Sequence, residues 1–200
     1  MKITIIGAGY VGLSLATLLS ESNEVTILDI KQSKVDQINN RISPIVDKEI
    51  DDFFKNKQLN LNATSSEEAY LDSKFIIICT PTNYDVASSE FDVTTVEKVI
   101  SDALKLNKKA SIIIKSTIPV GFTEKIRKKF NKKDIFFSPE FLREGSALRD
   151  NLNPSRIIVG GDSKEAKLFA NLLFENANHS NKKIPIEYMS SSEAEAVKLF

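Results

Sequence analysis

The stretch ITIIGAGYVGLSLA, residues 3–16, decides how the rest of the chain is read. Apolar residues at 2–6 predict a strand, and apolar residues at helical spacing over 10–20 predict a helix. Between them Gly7, Gly9 and Gly12 stand in the spacing G-x-G-x-x-G. Gly7 permits the tight turn off the strand, Gly9 lets backbone approach a diphosphate, and Gly12 lets the helix pack closely on the strand. The helix start at Tyr10 and Val11 points unpaired N–H groups and partial positive charge at the phosphates. A lone match to this spacing is a weak signal, and a tight strand–helix turn with no ligand is the plain alternative. Here the match sits at a strand–helix junction, and the second strand, EVTILD at 24–29, closes on Asp29. A carboxylate about 20 residues past the glycines receives the adenosine ribose hydroxyls. It would repel a 2′-phosphate, so the expected cofactor is NAD. Lys34 lies just beyond, either touching the adenosine or standing as a solvated helix lysine.

Outward from this unit, short β-rich runs alternate with helical segments. That predicts an α/β fold: a doubly wound, Rossmann-like parallel sheet with helices on both faces. Helices are expected at 33–40, 47–56, 94–106, 121–130 and 163–177. Strands are expected at 59–63, 74–80, 110–117, 134–138, 155–161 and 184–189. Asp92 or Thr94 is the expected cap of the helix at 94–106. Lys+Arg and Asp+Glu balance at 27 each, which argues against a nucleic-acid or membrane-surface binder. Apolar runs such as FIIIC at 75–79 fall far short of the roughly 20 residues that span a bilayer. The one cysteine, Cys79, cannot form an internal disulfide, and a reducing cytoplasm is the expected compartment. In a continuous apolar strand, Cys79 reads as a small buried hydrophobe.

Ligands of doubly wound sheets lie beyond the carboxyl ends of the strands. Those ends carry CTPTNYD with Thr80 and Thr82, KSTIPVG with Ser116 and Thr117, and SPEFLREG at 138–145. The last raises a question. Ser138-Pro139-Glu140 is a helix start; equally, Glu140 and Glu144 are two acids beside a cofactor. Arg143 either pairs with a neighbouring Glu or meets the substrate. Lys115 and Arg156 are each as readily structural ion pairs as site residues. The basic run KIRKKFNKK at 125–133 reads as a solvated helix end. His179, the only histidine, stands in a polar loop, and no metal site can be assembled around it. The polar stretch 83–92 reads as a loop beside the cofactor.

The segments GAGYVGLSLA, TPTNYD, IIKSTIPVGFT, FSPEFLREGSALRDNLNPSRIIVG and SSEAEAVKLF together resemble the UDP-glucose/GDP-mannose dehydrogenase family, its bacterial UDP-glucose-oxidising branch most closely. The resemblance runs over the whole chain. It implies oxidation of a nucleotide sugar's C6 hydroxyl to a carboxylate in two steps, each using one NAD. UDP-glucose would be the substrate, and the full-length protein a homodimer. Carried over by position, Val11, Asp29, Lys34, Thr82, Thr117 and Glu144 would contact NAD. Glu140, Phe141, Leu142, Arg143 and Glu144 would hold the sugar nucleotide, and Lys198 would place positive charge on the substrate and its oxyanion. Thr117, Glu140, Glu144 and Lys198 are the expected catalytic set, with Glu140 activating water.

Residues 1–189 are read as the dinucleotide domain. SSEAEAVKLF opens with a capping box, Ser191 or Ser192 with a Glu three residues on, and stops at Phe200 without a C-cap. Residues 190–200 therefore read as the start of a truncated central helix. The family's cysteine nucleophile and uridine-gripping domain would follow. The alternatives are a GDP-mannose or UDP-N-acetyl-hexosamine dehydrogenase, or a non-catalytic NAD-binding module.

Overall fold

A computed structural model of the chain describes residues 1–85, 90–178 and 184–199. His179 and the middle of the stretch 83–92 lie outside them. The chain runs β1 (Lys2–Ile6), α1 (Tyr10–Leu19), β2 (Glu24–Leu28), α2 (Gln32–Asn39), α3 (Lys48–Asn56) and β3 (Leu61–Thr64). A 3-10 turn at Glu67–Tyr70 leads to β4 (Phe75–Ile78), a short hairpin β5 (Tyr84–Asp85) and β6 (Glu90–Phe91), then α4 (Thr94–Leu106). There follow β7 (Ser111–Ile114), α5 (Phe122–Phe130), β8 (Ile135–Phe137), α6 (Ala147–Leu152), β9 (Ile157–Gly160), α7 (Lys164–Asn176), β10 (Ile186–Met189) and α8 (Ser191–Leu199).

Six strands form one parallel sheet in the order β3-β2-β1-β4-β7-β8. The order reverses between β1 and β4. A crevice beyond the carboxyl ends of those strands is where such sheets bind ligands. The continuous apolar runs follow from burial on both faces. Along β4 and β7, Phe75, Ile77 and Ile113 pack with α1, α3, α6 and α7. Their neighbours Ile76, Ile78, Ile112 and Ile114 pack with α4 and α5 on the other side. The doubly wound fold expected from the sequence is therefore the fold observed.

Several local expectations change. Residues 138–146 do not form a helix: Ser138-Pro139-Glu140 continues as irregular chain, and the helix begins only at Ala147. β9 and β10 form a parallel pair of their own, with Ile157 opposite Ile186. β9 lies against β8 without ladder bonds; the Ser138 hydroxyl donates to Ile158 O at 2.8 Å. Ser190, not Ser191 or Ser192, caps α8: its hydroxyl accepts from Glu193 N at 3.2 Å, and the Glu193 carboxylate accepts from Ser190 N at 2.8 Å. At α4 the N-cap position is Val93, and Asp92 accepts from Thr94 N at 3.0 Å.

Candidate functional site

The glycine turn has the geometry its spacing requires. Gly7 takes φ +99°, and its N–H donates to Leu28 O at 2.9 Å. A Cβ on Gly7 would lie 2.7 Å from Cys79 O; one on Gly12 would lie 1.9 Å from Gly7 O. At Gly9 a Cβ would meet nothing within 4 Å. Gly9 is the N-cap of α1, no side chain caps it, and no acid stands in the first turn. Open space before uncapped N–H groups at a helix start fits a diphosphate.

Asp29 stands at the end of β2, 9% exposed. Its Oδ2 accepts from Ala8 N at 2.7 Å and its Oδ1 from Lys31 N at 2.9 Å. The carboxylate is thereby fixed beside the glycine turn, and each oxygen keeps a lone pair for a ribose hydroxyl. Lys34 is not the solvated lysine of the plain reading. Its Nζ donates to Ala8 O at 2.9 Å and stands 3.9 Å from Asp29 Oδ2. Ile30, which the sequence did not single out, is 94% exposed at the same rim.

Two cavities at the strand ends share wall residues. One, of about 260 Å³, is walled by Val11, Cys79, Thr82, Thr117, Lys115 and Glu140 among others. The second, of about 180 Å³, lies under the 138–158 segment and includes Phe141, Leu142, Asn151 and Arg156 with the same Lys115 and Glu140. The Thr80 hydroxyl lies 3.3 Å from that of Ser116, which donates to Thr80 O at 2.7 Å, bracing the strand ends. Cys79 packs against the core, as expected of a small hydrophobe, and also contributes to the first wall. Burial pushes its thiol up to about 12; Lys115 opposes the shift and Glu140 adds to it. A thiol held protonated is a poor nucleophile.

Lys198 reaches across from α8. Its Nζ donates to Glu140 O at 2.9 Å and to Glu140 Oε1 at 2.8 Å. Glu140 Oε2 is buried with no hydrogen-bond partner among the described residues. A buried acceptor left unmet is costly unless something visits it. Lys115 is buried, with its Nζ on Ser138 O at 3.1 Å.

Two buried carboxylates that the sequence did not flag hold this arrangement. Glu195 on α8 is fully buried and accepts from Gly121 N and, at 2.8 Å, from Thr123 N. It caps α5 from another helix and fixes α8, and with it Lys198 one turn further on. Asp47 Oδ1 accepts from Ile50 N at 3.3 Å, and its Oδ2 from Leu148 N at 3.2 Å. One carboxylate thus caps both α3 and α6. Arg143 pairs with Asp150, Nη2 to Oδ1 at 2.6 Å, rather than with a Glu. This pair holds the Asp150 carboxyl below its ordinary range. Phe141 is exposed, with the Arg156 guanidinium 5.8 Å above its ring. Glu144 stands exposed in the turn before α6 and lines neither cavity. The structure therefore brings Thr117, Glu140 and Lys198 together and leaves Glu144 apart.

Comparison with known proteins agrees with this geometry. Residues 1–178 match the model of the UDP-glucose/GDP-mannose dehydrogenase family, NAD binding domain. The UDP-glucose 6-dehydrogenase of Campylobacter jejuni is 50% identical over 203 residues, covering 100% of this chain and 51% of that protein. That of Streptococcus pneumoniae is 48% identical over 207 residues, covering 100% of this chain and 52% of that protein. This chain thus spans about half the length of the curated relatives it matches. Among solved structures, a GDP-mannose dehydrogenase from Pseudomonas aeruginosa superposes with TM-score 0.84 at 26% identity, over 100% of this chain and 48% of that one. A UDP-D-ManNAc dehydrogenase from Pyrococcus horikoshii gives TM-score 0.84 at 28% identity, over 100% and 49%. Among the described residues no helix is long and apolar enough to cross a membrane. With its glycine turn, its acid on β2 and this match over nearly its whole length, the chain belongs to the UDP-glucose/GDP-mannose dehydrogenase family and carries that family's NAD-binding domain.

Proposed function

We propose that this chain is the NAD half of a UDP-glucose 6-dehydrogenase, which oxidises the C6 hydroxyl of UDP-glucose to give UDP-glucuronate. The observation that carries this reading is the Glu140–Lys198 pair at the mouth of the dinucleotide groove, with Glu140 Oε2 buried and unspent. Glucose is favoured over GDP-mannose or N-acetyl-hexosamine because two curated relatives that cover the whole chain at 50% and 48% identity are named for UDP-glucose.

In this reading Gly7, Gly9, Tyr10, Val11 and Gly12 cradle the diphosphate of NAD. Asp29 takes the adenosine ribose with Lys34 behind it, and Ile30 offers the adenine an apolar surface. Thr82 and Thr117 border the nicotinamide. NAD, when bound, supplies the hydride acceptor; the protein supplies placement and field. Glu140 takes the proton of the reacting hydroxyl or of a hydrolytic water, directly or through an intervening water. Thr117 orients that water by donating and accepting at once. The Lys198 ammonium lowers the energy of negative charge developing on the C6 oxygen. Phe141, Leu142 and Arg143 hold the sugar nucleotide, and Glu144 meets the cofactor once it is in place.

We assign residues 1–189 to the dinucleotide domain and 190–200 to the start of a central helix. The uridine site and the thiol that traps the aldehyde belong to the other half of the full-length protein, a cytoplasmic homodimer. Titration calorimetry with NAD⁺ and then UDP-glucose, on wild type and Asp29→Ala, tests the reading. The wild type should take the dinucleotide and Asp29→Ala should lose most of that affinity. A chain that binds NAD⁺ with or without Asp29, or full-length protein indifferent to UDP-glucose, refutes it.

A further inference from the structure

Lys115 has no part in the scheme above. It stands one residue past β7 and is 5% exposed. An ammonium has three donors. Among the described residues, Ser138 O at 3.1 Å is the only acceptor it reaches. Glu140 presents the complementary shortfall: Oε1 takes Lys198, whereas Oε2 is buried and takes nothing. Lys115 and Glu140 are also the two residues common to the walls of both cavities.

Other charged groups do not account for this. The titratable side chains acting on Lys115 are Glu140, Cys79 and Lys198, with Asp150 and Arg156 on the inner cavity wall. Asp150 is taken by Arg143, and Arg156 lies over Phe141. Burial pulls the Lys115 ammonium below its ordinary range, Glu140 and Cys79 oppose this, and Lys198 adds to it. A water is stable inside a protein where it finds about two to four polar partners and about 30 Å³ of room. Cavities of about 180 and 260 Å³ share Lys115 and Glu140 in their walls.

We propose that Lys115 is a positioning residue for Glu140, and that one ordered water held by Lys115 Nζ and Glu140 Oε2 joins them at the wall the two cavities share. Lys198 on Oε1 and the water on Oε2 then fix the carboxylate from both sides. The acid is held at one orientation toward the groove over Thr117, and a group bound there finds its lone pairs already aimed. The part Lys115 plays in turnover rests on the function proposed above; the Lys115–water–Glu140 link does not.

A high-resolution crystal structure of this chain tests the link. A water within about 3.2 Å of both atoms is expected; Oε2 turned onto a protein donor instead overturns it. NMR titration of ¹³Cε-labelled lysine tests it without altering Lys115. In Glu140→Gln the Lys115 midpoint should fall, because the carboxylate that raises it is gone; an unmoved midpoint overturns the link. In the full-length protein, Lys115→Met should lower kcat by about tenfold, short of the roughly 100-fold or more that loss of a general base costs. The KM for NAD should stay within about twofold, since Lys115 is none of the residues assigned to the dinucleotide and its Nζ is turned onto Ser138 O. Lys115→Arg, which keeps the charge, should recover most of the rate. Equal losses in both variants mark a merely structural lysine and overturn the positioning role. NAD⁺ calorimetry on the wild-type chain stands apart. If the dinucleotide does not bind but the water and the coupled midpoint are found, the functional reading fails and the link survives.

Discussion

Two glycines of one turn should respond in opposite ways to the same added methyl group. At Gly12 a Cβ would sit 1.9 Å from Gly7 O, a backbone atom that no rotamer change can move aside. Relieving that contact requires α1 and the turn to separate by more than about 1 Å, at a cost of about 3 kcal/mol or more. The helix propensity of alanine returns about 1 kcal/mol at most. The net loss of about 2 kcal/mol or more lowers Tm by about 4–8 °C or more in a chain of this size. At Gly9 a Cβ meets nothing within 4 Å, and φ is −95°, open to any residue. Gly9→Ala gives up only about 0.5 kcal/mol of N-cap preference, or about 1–2 °C. The methyl would enter the space assigned to the diphosphate, so NAD⁺ affinity should fall by at least about tenfold, or about 1.4 kcal/mol. Calorimetric binding and thermal unfolding on the two variants give the four numbers needed. A Gly9→Ala chain that binds NAD⁺ like wild type, or a Gly12→Ala chain as stable as wild type, would show that the turn does not divide its work between fold and ligand in this way.

Glu195→Ala should lower Tm by about 6–12 °C, because two amides at the start of α5 lose their acceptor at about 3 kcal/mol in total. Glu195→Gln should fall between it and wild type, and a Tm within about 2 °C of wild type for Glu195→Ala would discount the cap. The Cys79 thiol, pushed from about 9 up to about 12, makes folding favour the protonated form. Its contribution is therefore whole below about pH 9 and is lost as pH rises from there toward 12. Cys79→Ala should flatten that part of the stability–pH curve, as chemical unfolding at stepped pH would measure. Alkylation of Cys79 should be slow at neutral pH and slower still with NAD⁺ bound, since the residue lines the groove; unchanged labelling rates with NAD⁺ would place the cofactor elsewhere. The chain by itself should bind NAD⁺ yet fail to convert UDP-glucose fully to UDP-glucuronate in a steady-state assay with product analysis; complete turnover would show that the thiol proposed for the other half is not required.

The fold was legible because its signals are local. The glycine spacing, Asp29 at the end of a strand and apolar runs too long for a one-sided sheet all sit within a few residues of what they specify. Thr117 and Glu140 could be named because they stand at strand ends; Lys198 entered through the family resemblance alone. What stayed hidden depends on partners far along the chain. In SSEAEAVKLF, Glu195 looks like any acid on a polar helix face; it is buried because α8 docks on amides 72 and 74 residues away. Asp47 stands unflagged at the start of an expected helix, and the second amide it binds lies 101 residues off. Ser-Pro-Glu at 138–140 has the composition of a helix start, yet its main chain is held by Lys115 and Lys198 in an irregular path. Glu144 shows the opposite limit: a motif names it, but its side chain stands exposed.

Asp47 also constrains how the site can move. Its two oxygens bind amides of α3 and α6, so the segment carrying Glu140 and Phe141 is riveted at its far end to the loop at 43–47 before α3. A hinge placed between residues 138 and 146 cannot swing as a separate flap. It must either carry α3 along as one rigid piece or leave a buried carboxylate oxygen without its amide, at about 1–3 kcal/mol. Under the proposed function, adjustment to a bulkier or smaller sugar would be mechanically cheaper by sliding this riveted block than by bending the segment within it.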